Sequence, residues 1–198
     1  MFALLARKTH RLGCLAIALA LGLGAPEALA AELPAASQAL LLLRVMAYDR
    51  NLPARVGESV VMGVAFKKGD RASEAAGAEF VKALTALAGT AVVAGRAISV
   101  RSLPIVNAAD LEAAFSSGRP AAVFICPGLE PETAAIAGVT REHSVLSATG
   151  TREAVEAGLA IGLLSLSGRA GLLVNLNQAR LEGADLDSAM LKMAEVLR

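Results

Sequence analysis

Two stretches of this sequence, Ser59 to Phe66 (SVVMGVAF) and Ala121 to Ile125 (AAVFI), are apolar almost without interruption. Runs this short with little polar alternation suit strands covered on both faces, as in a parallel sheet between helices. Between them, Arg71 to Ala88 places Ala76, Phe80, Leu84 and Ala88 four residues apart, which predicts an amphipathic helix closed by Gly89. The same alternation extends outward. Ser37 to Tyr48 and Ala108 to Ser116 read as helices, and Ile98 to Leu103 as a second strand. Pro131 to Ala137 reads as a short helix, His143 to Ala148 as a fourth strand, and Thr151 to Ala157 as a helical turn. Leu159 to Leu166 and Ala170 to Leu176 flank Ser167-Gly168-Arg169 as a hairpin would. The chain is expected to end in a helix from about Asp185 to Leu197, burying Leu186, Ala189, Met190, Met193 and Leu197. The pattern predicts a layered α/β fold: a mainly parallel central sheet flanked by helices, with one antiparallel hairpin near the C-terminus.

The first thirty residues read differently. Arg7, Lys8 and Arg11 precede an uncharged run from Leu12 to Ala25, and Pro26 and the small-residue site Ala28-Leu29-Ala30 follow. This is the layout of a secretory signal peptide cut between Ala30 and Ala31. The run falls short of the roughly 20 apolar residues that span a bilayer. Residues 31–198 are then one exported domain, expected in the periplasm. Cleavage removes Cys14 and leaves Cys126 alone, so no intramolecular disulfide can form.

Composition narrows the function. Net charge is +1 and aromatic residues make up 3% of the chain, so neither a basic footprint nor a base-stacking surface for nucleic acid is expected. After cleavage His143 is the single histidine, and there is no H-E-x-x-H, paired cysteine or clustered histidine to hold a metal. Phosphate-cradling glycine loops and the G-x-S-x-G elbow are absent. His143, after Arg141-Glu142, reads as a solvated turn residue at a strand entrance. No catalytic set assembles, and no cofactor or metal is expected.

Candidate contacts remain. Asp49-Arg50-Asn51 is a dense polar cluster beside an apolar helix. It reads either as a ligand or partner contact, or as a helix C-terminus whose Arg50 and Asn51 satisfy the last carbonyls. Cys126 and Gly128 follow an apolar strand, where α/β folds place ligand sites. Thr149 and Gly150 follow another. These loops could converge on a small pocket, so a periplasmic small-molecule binding protein is one reading.

A second reading comes from resemblance. Tyr48-Asp49-Arg50-Asn51-Leu52, Val61-Met62-Gly63-Val64 and Cys126-Pro127-Gly128-Leu129 are followed by Val174-Asn175-Leu176-Asn177-Gln178-Ala179, Gly183 and Ser188 to Ala194. In this order they resemble the YfiR family of periplasmic proteins with a DUF4154-type domain, over about residues 40–197. The resemblance implies a regulator and no enzyme: a repressor of an inner-membrane diguanylate cyclase, bound at the cyclase's periplasmic region. Its output would bear on cyclic di-GMP and biofilm formation. It also implies sequestration of the repressor by an OmpA-like outer-membrane lipoprotein, and leaves a homodimer open. The type member's intramolecular disulfides have no counterpart here, because Cys126 has no partner.

Overall fold

The computed structural model describes residues 33–197. The predicted signal segment and its expected Ala30–Ala31 cleavage site lie outside the described residues. Helix α1 (Ala35–Ala47) and the single turn α2 (Leu52–Arg55) lead into β1 (Ser59–Lys67), α3 (Arg71–Ala88), the two-residue β2 (Val92–Val93) and β3 (Arg96–Ile105). Then come α4 (Ala108–Ser116), β4 (Ala122–Ile125), a 3-10 turn (Glu130–Glu132), α5 (Thr133–Glu142), β5 (Leu146–Thr149) and α6 (Arg152–Glu156). The chain closes with β6 (Ile161–Leu166), β7 (Arg169–Asn175), α7 (Leu176–Leu181), α8 (Ser188–Leu191) and β8 (Glu195–Leu197).

The eight strands form one sheet in the order β2-β3-β1-β4-β5-β6-β7-β8. The ladder β3-β1-β4-β5-β6 is parallel throughout, and β6–β7 is the antiparallel hairpin the sequence predicts. The apolar runs explain the layering. Along β1, Val60, Met62 and Val64 face a core shared with α1 and α3, while Ala65 faces a second core built with α4, α5 and α6. β4 does the same: Ala122 and Phe124 point one way, Val123 and Ile125 the other. Strands covered on both sides need side chains that are apolar at every position, which is why these two runs lack alternation.

Helix α3 matches its predicted span. Its start is fixed by Asp70, whose carboxylate accepts from the Ser73 N–H at 3.0 Å. The C-terminus departs from expectation. Only Ser188–Leu191 of the predicted helix over 185–197 is helical. Glu195–Leu197 instead pairs in parallel with β7, and Asp49 and Leu186 form an isolated antiparallel bridge. Met190 is buried as predicted, but Met193 is 67% exposed. The open edge of β7 offers backbone partners to the last residues, and this non-local pairing overrides the helical spacing of the apolar side chains.

Candidate functional site

The chain leaves β1 through α3 to β3 on one side, then returns through α4 to β4 on the other. Strand order therefore reverses between β1 and β4. In open α/β sheets, ligands gather in the crevice beyond the carboxyl ends of the strands at such a point. Here that crevice adjoins Lys67, Cys126 and Gly128.

Several of its backbone donors are already taken. Asn107 caps α4, accepting from Ala109 N and Asp110 N at 3.0 and 3.2 Å. The Glu132 carboxylate accepts from Ala108 N at 3.1 Å, and Glu130 accepts from Gly128 N at 2.9 and 3.0 Å. With Asp70 on α3, the chain's own side chains occupy the N–H groups that a phosphate binder leaves open. Gly128 sits at φ +95, and a Cβ there would stand 3.2 Å from Ser73 Cβ, so this turn needs glycine.

Beside the switch point, on the α1/α3 face, lies a cleft of about 250 Å³. Phe80 of α3 and Phe124 of β4 stack in its wall with ring centroids 3.7 Å apart. Gln38 and Glu79 supply polar groups, and Pro34, Pro127 and Gly150 complete the rim. Gly150 is open of necessity: a Cβ would fall 2.6 Å from Gln38 Nε2, which donates to the Leu163 carbonyl at 3.3 Å. The cleft can hold a small, largely apolar group with a polar edge. Phe80 was legible in the sequence as core; that it also walls a cleft depends on α1 crossing nearby.

Cys126 and Thr149 sit at this carboxyl edge but are buried, at 2% and 3% exposure. Burial pushes the Cys126 thiol up to about 12, so it stays protonated and poorly nucleophilic at neutral pH.

Asp49, Arg50 and Asn51 are at the opposite edge. Asp49 pairs with Arg55, and Arg55 donates to the carbonyls of Ala121 and Ser144, each 3.2 Å away and just ahead of β4 and β5. The sequence-predicted loops therefore converge only in part: Pro127, between Cys126 and Gly128, shares the cleft rim with Gly150, and the Asp49 cluster lies apart from it. Arg50 and Asn51 do not satisfy the last carbonyls of α1, although Asp49 N donates to the Met46 carbonyl at 3.3 Å; the cluster ties the α1–α2 turn to the C-terminal segment. Asp49 Oδ1 accepts from Asn51 N at 3.0 Å and Asp185 N at 2.9 Å. Arg50 N donates to the Asp185 carbonyl, its guanidinium pairs with the Asp185 carboxylate at 3.3 Å, and Asn51 Nδ2 donates to the Gly183 carbonyl at 2.6 Å. The segment 183–187 supplies these partners, which lie too far along the chain for local pattern to disclose. Arg55 was not singled out in the sequence, although it is the cation that makes the cluster a hub.

His143 caps the end of α5 instead of entering a strand. It packs edge-on against Phe115, with centroids 5.6 Å apart, and its Nε2 is 3.5 Å from Glu112. Among the described residues, no group of three potential metal ligands gathers, and no helix is long and apolar enough to cross a membrane.

Residues 36–195 match the family model DUF4154, described as YfiR/HmsC-like. The chain belongs to this YfiR/HmsC-like family. No curated protein matches it. Solved structures share its fold. An ABC domain in complex with L-Trp from Streptococcus pneumonia is 12% identical with a TM-score of 0.58, over 83% of this chain and 60% of that one. A conserved domain protein from Vibrio cholerae is 14% identical with a TM-score of 0.58, over 84% and 61%. The ligand-free, open form of CD0873, a substrate binding protein with adhesive properties from Clostridium difficile, is 12% identical with a TM-score of 0.53, over 75% and 57%. The YfiR/HmsC-like chain thus spans about 60% of the first two structures it resembles. The Tyr48-to-Leu52 motif that suggested the family from sequence is the hub just described. Family membership supports a periplasmic regulatory role.

Proposed function

We propose that this protein is a periplasmic repressor that holds down an inner-membrane diguanylate cyclase by binding its periplasmic region. The observation that carries the reading is the YfiR/HmsC-like match over residues 36–195. Repression requires only that the protein bind the inactive form of its target more tightly than the active form. A preference of about 10⁴-fold moves a target from almost fully on to almost fully off. Such a role asks for no nucleophile, and the protonated Cys126 thiol agrees with that. Sequestration by an OmpA-like outer-membrane lipoprotein would relieve the repression. Deleting the gene is expected to raise cyclic di-GMP and surface attachment, and deleting the cognate cyclase as well to reverse both. Unchanged cyclic di-GMP after the single deletion refutes the reading.

The cleft between Phe80, Phe124, Gln38 and Gly150 favours one second reading, a periplasmic small-molecule binding protein. Loss of uptake of a solute in the deletion strain, with cyclic di-GMP unchanged, is the result that puts it in first place.

A further inference from the structure

Glu182 follows α7 and has no exposed surface. Among the described residues, none of the ion pairs within 4.0 Å includes it. Neutral donors hold it instead. Its Oε1 accepts from Thr140 Oγ1 at 2.6 Å, Ser147 Oγ at 2.7 Å and Gln178 Nε2 at 2.9 Å, and its Oε2 accepts from Ser147 N at 2.8 Å. One carboxyl group thus joins α5, β5 and α7. Ser147 Oγ passes the network on by accepting from Ala160 N at 2.8 Å, just ahead of β6. Directly after Glu182 come the residues that seal the Asp49 hub.

The site accommodates a proton as well as a charge. Thr140 Oγ1 lies 3.2 Å from the Ala137 carbonyl, so its hydroxyl has two acceptors. With a proton on Oε1, Glu182 donates to Thr140 Oγ1, Thr140 turns its own proton to Ala137, and Ser147 N–H stays on Oε2. The hydroxyl oxygen Oε1 keeps its lone pairs for Ser147 Oγ–H and Gln178 Nε2–H, so no donor faces a donor. Burial raises the Glu182 carboxyl above the usual carboxylate range, outweighing the hydrogen bonds from Thr140, Ser147 and Gln178, which pull it down.

The surrounding charges are engaged elsewhere or face water. On α5, Arg141 and Glu142 are exposed, as is Arg180 on α7; β5 carries no charged residue. His143 faces Glu112, Asp185 pairs with Arg50, and Asp187 accepts from Ala189 N. Arg55, held by Asp49, lies across Gly183, where an added Cβ would meet Arg55 Cδ at 3.2 Å.

We propose that Glu182 is a proton-operated lock on this joint: the α5–β5–α7 junction holds tightest with the carboxyl protonated and loosens as the proton leaves. In the opened joint Glu182 is hydrated and titrates as an ordinary carboxylate. The lock's contribution is complete below that ordinary value and is lost as pH rises through the raised value of the closed joint. Between the two, each pH unit upward multiplies the open population about tenfold.

The test is native-state amide hydrogen exchange at Glu182, Gly183, Ala184 and Asp187, whose N–H groups bond to the carbonyls of Gln178, Arg180, Ala179 and Tyr48. After correction for intrinsic exchange, protection should fall by up to about tenfold per pH unit in the wild type and stay flat in Glu182→Gln. Protection independent of pH in the wild type, or an equal slope in the variant, overturns the proposal. If Glu182→Gln does not fold, side-chain carboxyl NMR of the wild type decides. Titration of Glu182 well above the exposed glutamates supports the lock; titration together with them overturns it.

Discussion

Replacing Asp49 by alanine probes the hub directly. The Arg55 side chain is only 7% exposed, and Asp49 is the carboxylate paired with it. Removing one partner of a buried ion pair leaves a bare charge and costs about 3–5 kcal/mol. The same substitution orphans Asn51 N and Asp185 N, each now 3.0 Å or less from the lost oxygen. These amides are part-buried, so water recovers some of that loss. The expected total is about 5 kcal/mol, a large share of the roughly 5–15 kcal/mol that holds a domain together. For a chain of this size, it should lower Tm by about 10–20 °C. Thermal melts by circular dichroism, with urea titrations to check that the m-value is unchanged, give the measurement. Arg55→Met alone leaves Asp49 bare and should also be costly. The double variant should lose clearly less than the sum of the two, because neither charge is then stranded. If the single losses are each below about 1 kcal/mol and simply add, the pair is not the seal described here.

Three further substitutions separate buried from exposed positions. Met190 is 1% exposed, so Met190→Asp should cost several kcal/mol and unfold a marginal domain, whereas Met193→Asp, at a 67% exposed site, should melt within a degree or two of wild type; thermal melts of the two decide. Cys126 is 2% exposed with its thiol pushed up to about 12, so the native protein should react with a thiol reagent at pH 8 far more slowly than after denaturation, and Cys126→Ala should cost about 1 kcal/mol. Rapid native labelling counts against a buried thiol.

The sequence disclosed those elements whose cause is local. β1 and β4 are apolar because each is covered on both faces, and α3 shows its helical spacing over consecutive residues. What escaped depends on distant partners. β2 is two residues paired with Ala97 and Arg96, and β8 exists because β7 has an open edge. The Asp49 cluster was visible as polar residues beside an apolar helix, but apart from Arg55 its mates lie beyond residue 180. Glu182 was harder still. At the end of a short helix, Gln178 and Glu182 look like a solvated pair four residues apart, and only Thr140 and Ser147 show that they face inward. In the cleft, Phe124 reads from the sequence as strand interior, which it is, while its role as a wall depends on the placement of Phe80 and Gln38.

The hub also has a place in time. A polypeptide is made from its N-terminus, and Arg55 meets Asp49 after only six residues, but the groups that seal Asp49, Arg50 and Asn51 arrive 132 to 136 positions later. Closing so long a loop adds conformational entropy cost and slows the step that depends on it. The α1–α2 seam of a growing or truncated chain therefore stays unfastened until the segment 183–187 is present. Only the arrival of Asp185 fastens it, so a copy cut short before that residue carries an open seam at which proteases can begin, and the finished chain does not.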